Sequence, residues 1–578
     1  MKKTLLVLVA AMLTMMFASA QITDTIVSMT PSNCNVVLEE YTGVNCTWCP
    51  SGHKIANEIQ AAHPDRVCVI NIHQGSFANN TYTTQFGNAL ANQTGLTGYP
   101  AGTVNRHVFS DLIDQGESVH TVTDLNRGYW ATAADRIMAT ASPVNIAGEG
   151  VLDWNTRTLT LRVQLYYTGS QSVSSNMLNV ALMQDNVYGA QTGKDKNPDQ
   201  VVGNQYRHMH MLRHLITGQW GESIDNIAPG TLVEKTYEYV IPAQLGSPNA
   251  INAVLEDLHI VAFVCEGHQE VITGVKIPIQ HVNLPAINTK LMALKSVESF
   301  TCDNHVSANL EVMNAGADPI TTMVYTYTLS GNTVTNTWNG NIPSMQTAYV
   351  TIPDIEITLN TNNNIQANIT TVNGEPVSVT SRSVTVKKQV YSAGGNMTFI
   401  LKTDNYGSET TFNFFGPDGS VVLSGGPFTN ASVVHEFEFN PTTIGCYRLE
   451  VYDAYGDGIN SGYGTGYFQL NDASGNQIFR NNGQFAAQAT YLIDVTYPAG
   501  IEDIATGTTI YPNPATDVIN INTTENVQRV EIFNMQGQLV KAEIGTVNHI
   551  SVRDLTNGFY TLKLTTDNGT SVHKIIKK

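Results

Sequence analysis

The sequence predicts a multidomain protein in which an N-terminal α/β domain is followed by several all-β sandwich domains. The chain has 578 residues, whereas one hydrophobic core rarely grows beyond about 250–300 residues. From Val144 onward, short runs of alternating apolar and polar residues are separated by turns containing Asn and Gly, which is typical of β-sandwiches. Only the region before Val144 combines strand-like runs with apolar residues at helical spacing.

Residues 1–20 have the pattern of a signal peptide. Lys2 and Lys3 precede the apolar run Leu5–Met16, and Ala18-Ser19-Ala20 forms a small-residue cleavage site. Because no cysteine lies at this cleavage site, the sequence does not predict a lipoprotein. No later stretch reaches the ~18 apolar residues of a membrane span, so we expect an exported chain.

Acidic residues outnumber basic residues in this protein. The formal net charge is −18 at pH 7, and it becomes −20 when Lys2 and Lys3 leave with a leader that contains no acidic residue. A chain of this charge is repelled by nucleic acid and by anionic lipid. No local basic patch reverses the repulsion, so nucleic acid is excluded as a partner.

The main candidate site is the segment from Asn45 to Pro50, which contains a Cys-x-x-Cys motif. An apolar, strand-like run at Val36–Tyr41 precedes the motif, and Ser51–His63 carries apolar residues at helical spacing. A thiol at a helix N-terminus faces unpaired backbone N–H groups, which lower its pKa. We therefore predict a redox pair, with Cys46 as the nucleophile and Cys49 as the resolving cysteine. The alternatives are a permanent structural disulfide or half of a metal site, and the lack of a second such pair disfavours the metal.

This part of the chain resembles a thioredoxin-fold domain, which we predict for residues 21–142. The resemblance is carried by the first strand, the Cys-x-x-Cys motif, the helix, a second apolar strand at Val67–His73 and the later segment Gly98–Ala101. The resemblance implies that Pro100 is a cis-proline packed against the dithiol. It also implies that Glu40, six residues before the first cysteine, is a buried proton acceptor. The alternative for Glu40 is a solvated acid at the end of a strand. Trp48 departs from the Gly-Pro that usually separates the two cysteines, so the redox potential of the family does not carry over.

A narrower resemblance concerns three short segments. Leu38–Gly43 with the Cys-x-x-Cys-Pro motif, Tyr206–His208 and Trp220–Glu222 are similar to the twenty-eight-kilodalton outer-membrane protein family of Bacteroidetes. The resemblance extends over about residues 34–280 and implies a location at the outer membrane.

Seven cysteines leave at least one without an intramolecular partner. The thioredoxin-like layout implies that Val36–Tyr41 and Val67–His73 are parallel neighbours joined by a right-handed crossover. Cys34 and Cys68 would then lie at one sheet edge, about 4.8 Å apart and within disulfide range. We predict a Cys34–Cys68 disulfide; the alternative is a Cys68 that packs as a small apolar side chain and a free Cys34. The sequence assigns no partner to Cys265, Cys302 and Cys446.

Three β-domains are predicted after the first domain. Residues 143–285 contain alternating runs such as Leu159–Leu165 and predict a β-sandwich. Residues 286–390 have the same character and predict an immunoglobulin-like domain. Residues 391–498 resemble the jelly-roll or CUB-like modules of secreted proteins.

The third β-domain contains a candidate calcium site. The segment Asp453–Gly458 places two acids, Asp453 and Asp457, in a glycine-rich turn, where carboxylates and inward-pointing carbonyls suit a hard cation. It is not an EF-hand loop, because position 12 is Gly464. The alternative is a glycine hairpin whose Asp side chains hydrogen-bond the backbone.

The first β-domain contains the run His208, His210 and His214. If this segment is a strand, His208 and His210 share a face and could bind zinc or copper. The alternative is a strand edge or loop without a metal, because this spacing alone is a weak signal.

Residues 510–578 resemble the C-terminal sorting domain of type IX secretion cargo. The resemblance is carried by four segments in order, Ile510–Asp517, Val530–Gly537, Leu555–Leu562 and Lys574–Lys578. It implies the type IX secretion machinery as a partner, cleavage in the linker 499–509, and release or attachment to surface lipopolysaccharide. We therefore expect export through the periplasm to the cell surface or the medium.

Two functions remain open at this point. One is a secreted or surface-displayed thiol–disulfide oxidoreductase that acts on protein thiols or disulfides and requires no cofactor. The other is a surface binding or adhesive protein in which the thioredoxin fold is only a scaffold, because a fold alone does not determine function.

Overall fold

The structure is a computed structural model that describes residues 24–113, 116, 118–429, 431–499, 508–567 and 569–578. The predicted signal peptide, and all of the predicted linker except residues 499, 508 and 509, lie outside the described residues. The chain forms two compact units. The first comprises Met1–Ser296, Ala308–Pro353 and Asn364–Thr385, and the second comprises Val297–Ser307, Asp354–Asn363 and Val386–Lys578.

The N-terminal region folds as a strand–helix–strand unit with a short antiparallel extension. Its strands are β1 Val36–Thr42, β2 Val67–His73, β3 Ala101–Val104 and β4 Leu125–Asn126, and its helices are α1 Cys49–Ala62, α2 Gly75–Ala78, α3 Gly87–Asn92 and α4 Trp130–Ala139. β1 and β2 are parallel neighbours, with Val36 opposite Val67, whereas β3 is antiparallel to β1. The predicted parallel pairing of the first two strands is therefore confirmed.

Strands from residues 144–282 extend the same sheet. They are β5 Val144–Asp153, β6 Thr158–Tyr167, β7 Asn176–Gln184, β8 Val187–Gly189, β9 Val201–Val202, β10 Gln205–His208, β11 Met211–Leu215, β12 Glu222–Ile224, β13 Leu232–Val240, β14 Gln244–Leu245, β15 Ile251–Asn252, β16 Leu258–Glu266, β17 Glu270–Ile277 and β18 Ile279–Val282. One nine-stranded sheet has the order β17-β16-β7-β11-β2-β1-β3-β4, with β12 paired to β7. Strands from both sides of the predicted boundary at residues 142 and 143 thus share one sheet.

The nine-stranded sheet has a core on each face, because side chains alternate along every strand. On one face Val36 and Val67 pack with residues of α1 and α4. On the other face Val37 and Cys68 pack with residues of α3, β7, β11 and β16. A third core joins the β7 and β16 part of this sheet to the four-stranded sheet β13-β6-β5-β18. Strands of residues 143–285 therefore contribute to both of these packed sheets, and the N-terminal strands β1 to β4 continue one of them. The separate sandwich domain at residues 143–285 stays a prediction.

Residues 289–386 form two further sheets. Their strands are β19 Thr289–Val297, β20 His305–Asn314, β21 Ile320–Leu329, β22 Asn332–Ile342, β23 Gln346–Glu356, β24 Asn363–Val372, β25 Glu375–Pro376 and β26 Arg382–Val386. The three-stranded sheet has the order β19-β20-β23, and the five-stranded sheet has the order β22-β21-β24-β25 with β26 beside β24. The region is therefore all-β, and its immunoglobulin-like character stays a prediction.

The second unit begins with a two-sheet domain around an aromatic core. Its strands are β27 Val390–Ala393, β28 Met397–Lys402, β29 Thr410–Phe415, β30 Val421–Gly425, β31 Val434–Phe439, β32 Gly445–Asp453, β33 Tyr467–Asp472, β34 Gln477–Asn481 and β35 Gln488–Val495. Five strands form one sheet and four form the other. Phe399, Phe412, Phe414 and Phe468 are fully buried between them, and a disulfide joins Cys302 to Cys446.

The C-terminal segment is a small two-sheet β-domain. Its strands are β36 Thr509–Tyr511, β37 Val518–Asn522, β38 Val527–Phe533, β39 Leu539–Ile544, β40 His549–Ser551, β41 Gly558–Thr566 and β42 Gly569–Lys577. Val530, Ile532, Leu562 and Leu564 contribute to its buried core. None of the helices in the described part of the chain has the length and apolar character needed to cross a membrane.

Candidate functional site

The two cysteines of the predicted redox pair form a disulfide at the N-terminus of α1. Cys49 is the first residue of the helix, and Cys46 lies in the loop after β1. The backbone N–H of Cys49 donates to Cys46 Sγ over 3.1 Å. Because the first N–H groups of a helix have no partner within the helix, negative charge that forms on Cys46 is stabilised here. Both residues are buried, with 2% exposure for Cys46 and 0% for Cys49.

Pro100 and Glu40 lie against the first turns of α1, next to Gly52. A Cβ atom on Gly52 would lie 2.5 Å from Glu40 Oε1 and 3.0 Å from Pro100 Cβ, so the helix needs a glycine at this contact. The peptide bond between Tyr99 and Pro100 is cis. The four residues that the sequence assigns to redox chemistry therefore lie around one end of α1.

The Glu40 carboxyl is buried without a hydrogen bond. Its side chain is fully inaccessible, and neither oxygen has a hydrogen-bond partner among the described residues. His53 Nε2 lies 3.8 Å from Glu40 Oε1, which is too far for a hydrogen bond. Burial raises the pKa of Glu40 well above its ordinary value, and the charge of Arg127 opposes the rise only in part. The protonated carboxyl is therefore favoured, and Glu40 is not the solvated acid of the alternative interpretation.

His53 links the dithiol helix to Tyr206, which lies 153 positions further along the chain. Its Nε2 lies 2.8 Å from Thr42 Oγ1, and its Nδ1 lies 2.8 Å from the Tyr206 hydroxyl. The Tyr206 hydroxyl donates its proton to Gln200 Oε1 over 2.6 Å. It must therefore accept from His53, which places the His53 proton on Nδ1 and leaves Nε2 as the acceptor for Thr42. Burial lowers the pKa of His53 to about 3, so the ring is neutral.

Acid is expected to destabilise the first unit through His53. Its folded pKa of about 3 lies below the ordinary value of 6.5, so the unfolded chain binds more protons below pH 6.5 and stability falls as the pH drops from there towards 3. At pH 5 the loss is about 2 kcal/mol. Urea unfolding at pH 7 and pH 5, followed by tryptophan fluorescence, reports on the first unit because all five tryptophans lie there. Burial also lowers the pKa of His208 and of His259, so the difference in loss between the wild type and His53→Gln isolates the part due to His53. His53→Gln should lose less stability than the wild type over this pH range; equal losses would contradict the assignment.

A segment from the β-sandwich region covers the disulfide. We call residues 191–196 the cover segment. Gln191 Nε2 donates to the carbonyl oxygen of Cys46 over 3.0 Å, and the backbone N–H of Thr192 donates to the Val44 carbonyl oxygen over 2.8 Å. Gly193 has a φ of +68°, and a Cβ atom there would lie 2.0 Å from the Thr47 carbonyl oxygen. The cover segment therefore lies in direct contact with the backbone of the motif.

The other end of the cover segment, at Lys196, contacts Trp48, which lies between the two cysteines. Lys196 Nζ lies 4.2 Å from the centre of the Trp48 ring, a cation–π distance, while 49% of Trp48 remains exposed. Sequence reasoning missed the cover segment, since a short polar stretch carries no local signal of the loop it will contact.

The predicted Cys34–Cys68 disulfide is wrong, because both residues are buried free thiols. Their two strands pair as predicted, but the side chains point to opposite faces of the sheet. Cys34 packs in the core that contains α1 and α4, whereas Cys68 packs in the core on the other face. Burial raises the pKa of Cys68 to about 12, so it behaves as the small apolar side chain of the alternative.

The three histidines of the His208–His214 run do not form one cluster. β10 ends at His208, and His210 has a φ of +54° before β11 starts, so the alternation expected of a single strand is broken. His208 packs edge-on against the rings of His73 and Tyr82, whereas His214 stacks on Tyr239. His210 lies near Asp185 and His259 instead.

The Asp453 carboxylate accepts hydrogen bonds from backbone groups of its own turn. Its Oδ2 accepts hydrogen bonds from the backbone N–H groups of Gly456, Asp457 and Gly458 over 2.6, 2.9 and 3.1 Å, as the hairpin alternative requires. Burial raises the pKa of Asp453 despite these bonds, and the charge of Asp457 adds to the rise. A cation would relieve this repulsion, so calcium at Asp453 and Asp457 stays a prediction.

Calcium bound to this turn should raise the melting temperature of the second unit. A ligand that binds only the folded state stabilises it by mass action, by about 2.7 kcal/mol at one hundred times its dissociation constant. Calorimetry of the full chain with calcium and with a chelator measures the shift. Asp457→Asn should abolish it without removing the Asp453 bonds; no shift in the wild type, or an equal one in the variant, reduces the turn to a hairpin.

Two family matches locate known segments in the chain. Residues 509–578 match the model described as "Secretion system C-terminal sorting domain". Residues 87–282 match the model described as "Outer membrane protein Omp28". This second match begins after Cys46 and Cys49, so it is shorter than the range expected from the sequence and does not include the dithiol. No curated protein shows a significant match to the chain.

Solved structures show distant likenesses. HBP35 of Porphyromonas gingivalis is 16% identical with a TM-score of 0.33, covering 62% of this chain and 98% of that chain. A domain of the outer membrane lipoprotein Omp28 from Porphyromonas gingivalis is 20% identical with a TM-score of 0.16, covering 24% of this chain and 90% of that chain. These TM-scores lie below 0.5, so neither likeness supports an argument about the thioredoxin-like character of the N-terminal region.

The matched segments nevertheless determine the location of the protein. A sorting domain at the C-terminus directs cargo through the type IX secretion machinery, which is therefore a partner of this chain. The chain is thus a multidomain, mostly β-sheet protein of the type IX secretion route that is exported to the cell surface or the extracellular space, and its residues 87–282 match the Omp28 model.

Proposed function

We propose that the protein exchanges thiols and disulfides at the cell surface, with Cys46 and Cys49 as its redox centre. The observation that carries this proposal is the unpaired, buried Glu40 carboxyl beneath the first turns of α1. A buried polar group without a hydrogen bond costs about 1–3 kcal/mol. An unpaired carboxyl against the helix that begins at Cys49 therefore favours a chemical role over a structural one.

The exchange would start from the oxidised pair. A substrate thiolate attacks Cys46 Sγ, the Cys46–Cys49 bond breaks, and Cys49 leaves as a thiolate that takes a proton. A protonated Glu40 would supply that proton. A second substrate thiolate then attacks the mixed disulfide, the substrate leaves as a disulfide, and Cys46 leaves as a thiolate stabilised by the helix N-terminus. Two electrons have then passed from the substrate to the cysteine pair.

A substitution at Glu40 distinguishes a redox-active disulfide from a structural one. Glu40→Gln keeps the shape of the side chain but holds no transferable proton, so exchange with a dithiol peptide should slow at least about tenfold, a modest share of what general acids contribute. Glu58→Gln is the matched control, because Glu58 lies on the exposed face of the same helix. Cys46→Ser should abolish exchange.

The assay is the formation of the mixed disulfide, quenched with acid and read by mass spectrometry on the full exported chain. An exchange rate in Glu40→Gln equal to that of the Glu58→Gln control would remove Glu40 from the mechanism. An exchange rate in Cys46→Ser equal to that of the wild type would remove the redox function itself.

One observation favours the second candidate, a surface binding or adhesive protein with a structural disulfide. Cys46 is only 2% exposed, and Gln191 of the cover segment bonds to its carbonyl oxygen. Gln191→Ala removes the side-chain bond to the Cys46 carbonyl and should speed exchange if the cover segment gates a redox centre. A disulfide that resists mild reductant equally in the wild type and in Gln191→Ala would support the binding protein instead. Attachment of the exported protein to surface lipopolysaccharide is part of either proposal, since both need retention at the cell.

A further inference from the structure

We propose a site for a divalent transition-metal ion, tested here as Zn²⁺, at Asp185, His210 and His259. This site is independent of the redox proposal. Asp185 directly follows β7, His210 directly precedes β11, and His259 is the second residue of β16. Since β16, β7 and β11 are adjacent in the nine-stranded sheet, the fold brings the three side chains to one end of it.

The distances between the donor atoms suit a metal better than they suit hydrogen bonds. Asp185 Oδ1 lies 3.6 Å from His210 Nδ1, and Asp185 Oδ2 lies 3.4 Å from His259 Nδ1. Both distances exceed the roughly 2.7–3.2 Å of an N–H···O hydrogen bond. Two ligand atoms in tetrahedral positions, each about 2.0–2.1 Å from Zn²⁺, lie about 3.3–3.4 Å apart. One donor atom from each of the three residues lies within 4.8 Å of the others.

The unpartnered Nδ1 of His259 is independent evidence for a missing ligand. It is only 8% exposed, and its Nδ1 has no hydrogen-bond partner among the described residues. The Asp185 carboxylate that faces this nitrogen is held in place by the backbone N–H of His210, which donates to Oδ1 over 2.6 Å. A buried nitrogen aimed at a fixed carboxylate, but too far from it to bond, is the arrangement that a cation between them completes.

A cavity beside Asp185 and His259 leaves room for a fourth ligand. Its volume is about 310 Å³, and its lining includes Lys276 and His281. Zinc sites with three protein ligands keep an open position for water or substrate, and two histidines with one carboxylate are a donor set that such ions accept. The other acids at the cavity, Glu256 and Asp257, are already paired with Lys290, so they do not compete for the ion.

Lys276 is the group that opposes the metal. Its ammonium shares the cavity and interacts with the charges of Asp185, His210 and His259. Removing this positive charge should therefore tighten metal binding, whereas removing a ligand should weaken it. The two substitutions are predicted to move the affinity in opposite directions.

Titration of the chelator-treated, fully oxidised chain with Zn²⁺ by calorimetry tests the site, because oxidised Cys46 and Cys49 offer no thiolate. We expect one ion per chain, at least tenfold weaker binding in His259→Gln and in Asp185→Asn, and tighter binding in Lys276→Met. His214→Gln is the matched control, because it removes a histidine of the same sequence run that lies outside the group. Near-ultraviolet circular dichroism identifies any variant that has not folded. If His259→Gln does not fold, the zinc affinity of Asp185→Asn, which keeps the shape of the side chain, decides whether the site exists.

Two outcomes would overturn the proposal. One is an affinity in Asp185→Asn equal to that of the wild type. The other is an equal loss in His214→Gln, which would mean that zinc binds histidines without selecting these three. Cobalt in place of zinc adds a readout of geometry, since a four-coordinate site absorbs visible light much more strongly than an octahedral one; weak octahedral absorption would contradict the tetrahedral arrangement.

Discussion

Replacing Arg106 with methionine is expected to lower the free energy of unfolding of the first unit by about 3–5 kcal/mol. Glu39 and Arg106 are each 2% exposed. Arg106 Nε and Nη2 donate to the two Glu39 oxygens, each over 2.6 Å, which is the strong bidentate geometry. Methionine preserves the length of the side chain but leaves a buried carboxylate without its counter-charge, and that loss dominates the cost.

The control is the double variant Glu39→Gln with Arg106→Met. Removing both charges of a buried pair costs far less than removing one, so the double variant should recover most of the stability, and the double-mutant cycle gives the coupling energy. Urea unfolding followed by tryptophan fluorescence reports on the first unit alone. A double variant no more stable than Arg106→Met would mean that lost packing, rather than the unpaired charge, causes the effect.

Glu39 and Glu40 show what a sequence can and cannot say about a buried strand. The apolar run around them predicts the strand, and the resemblance to a thioredoxin fold implies that Glu40 is buried. Nothing local predicts that Glu39 has a full ionic partner in Arg106, 67 residues away, while Glu40 has none. The difference arises because adjacent residues of a strand face opposite cores, and each core is assembled from distant segments.

The same reasoning explains which parts of the fold were predictable. The first strand, the dithiol helix and the second strand are contiguous in the chain, so local periodicity predicts each element, and the thioredoxin-like resemblance with the crossover rule implies their parallel pairing. The order of the remaining strands is not local. β11 runs beside β2, although β2 ends at His73 and β11 begins at Met211. The predicted boundary at residue 142 could therefore not reveal a shared sheet.

The candidate sites also differ in whether their residues are close together in the sequence. Cys46, Cys49 and Glu40 lie within ten residues of one another, and a known spacing identifies them together. The cover segment and the group of Asp185, His210 and His259 come from separate strands and loops, so no spacing links them. The failed alternation at His210 has one local cause, a left-handed backbone conformation that the sequence does not announce at a histidine.

Removing the Cys302–Cys446 disulfide is the second large effect that we expect. The pair is separated by 144 residues, and a cross-link that closes a long loop restricts the unfolded chain more than one that closes a short loop. Cys302→Ser with Cys446→Ser should therefore lower the free energy of unfolding of the second unit by about 2–5 kcal/mol. Calorimetry of the full chain measures the loss, since this unit contains no tryptophan.

The other disulfide provides the matched control, because Cys46 and Cys49 are only three residues apart. In the chain-entropy description their double serine variant should lose only about 1.6 kcal/mol. Thiol titration of the unfolded, unreduced wild type should find three thiols, those of Cys34, Cys68 and Cys265. Five thiols would show that one of the two disulfides is open, and peptide mapping of the labelled thiols then tells whether it is Cys302–Cys446. Equal stability losses in the two double variants would show that native contacts of the cysteines, rather than loop length, determine the effect.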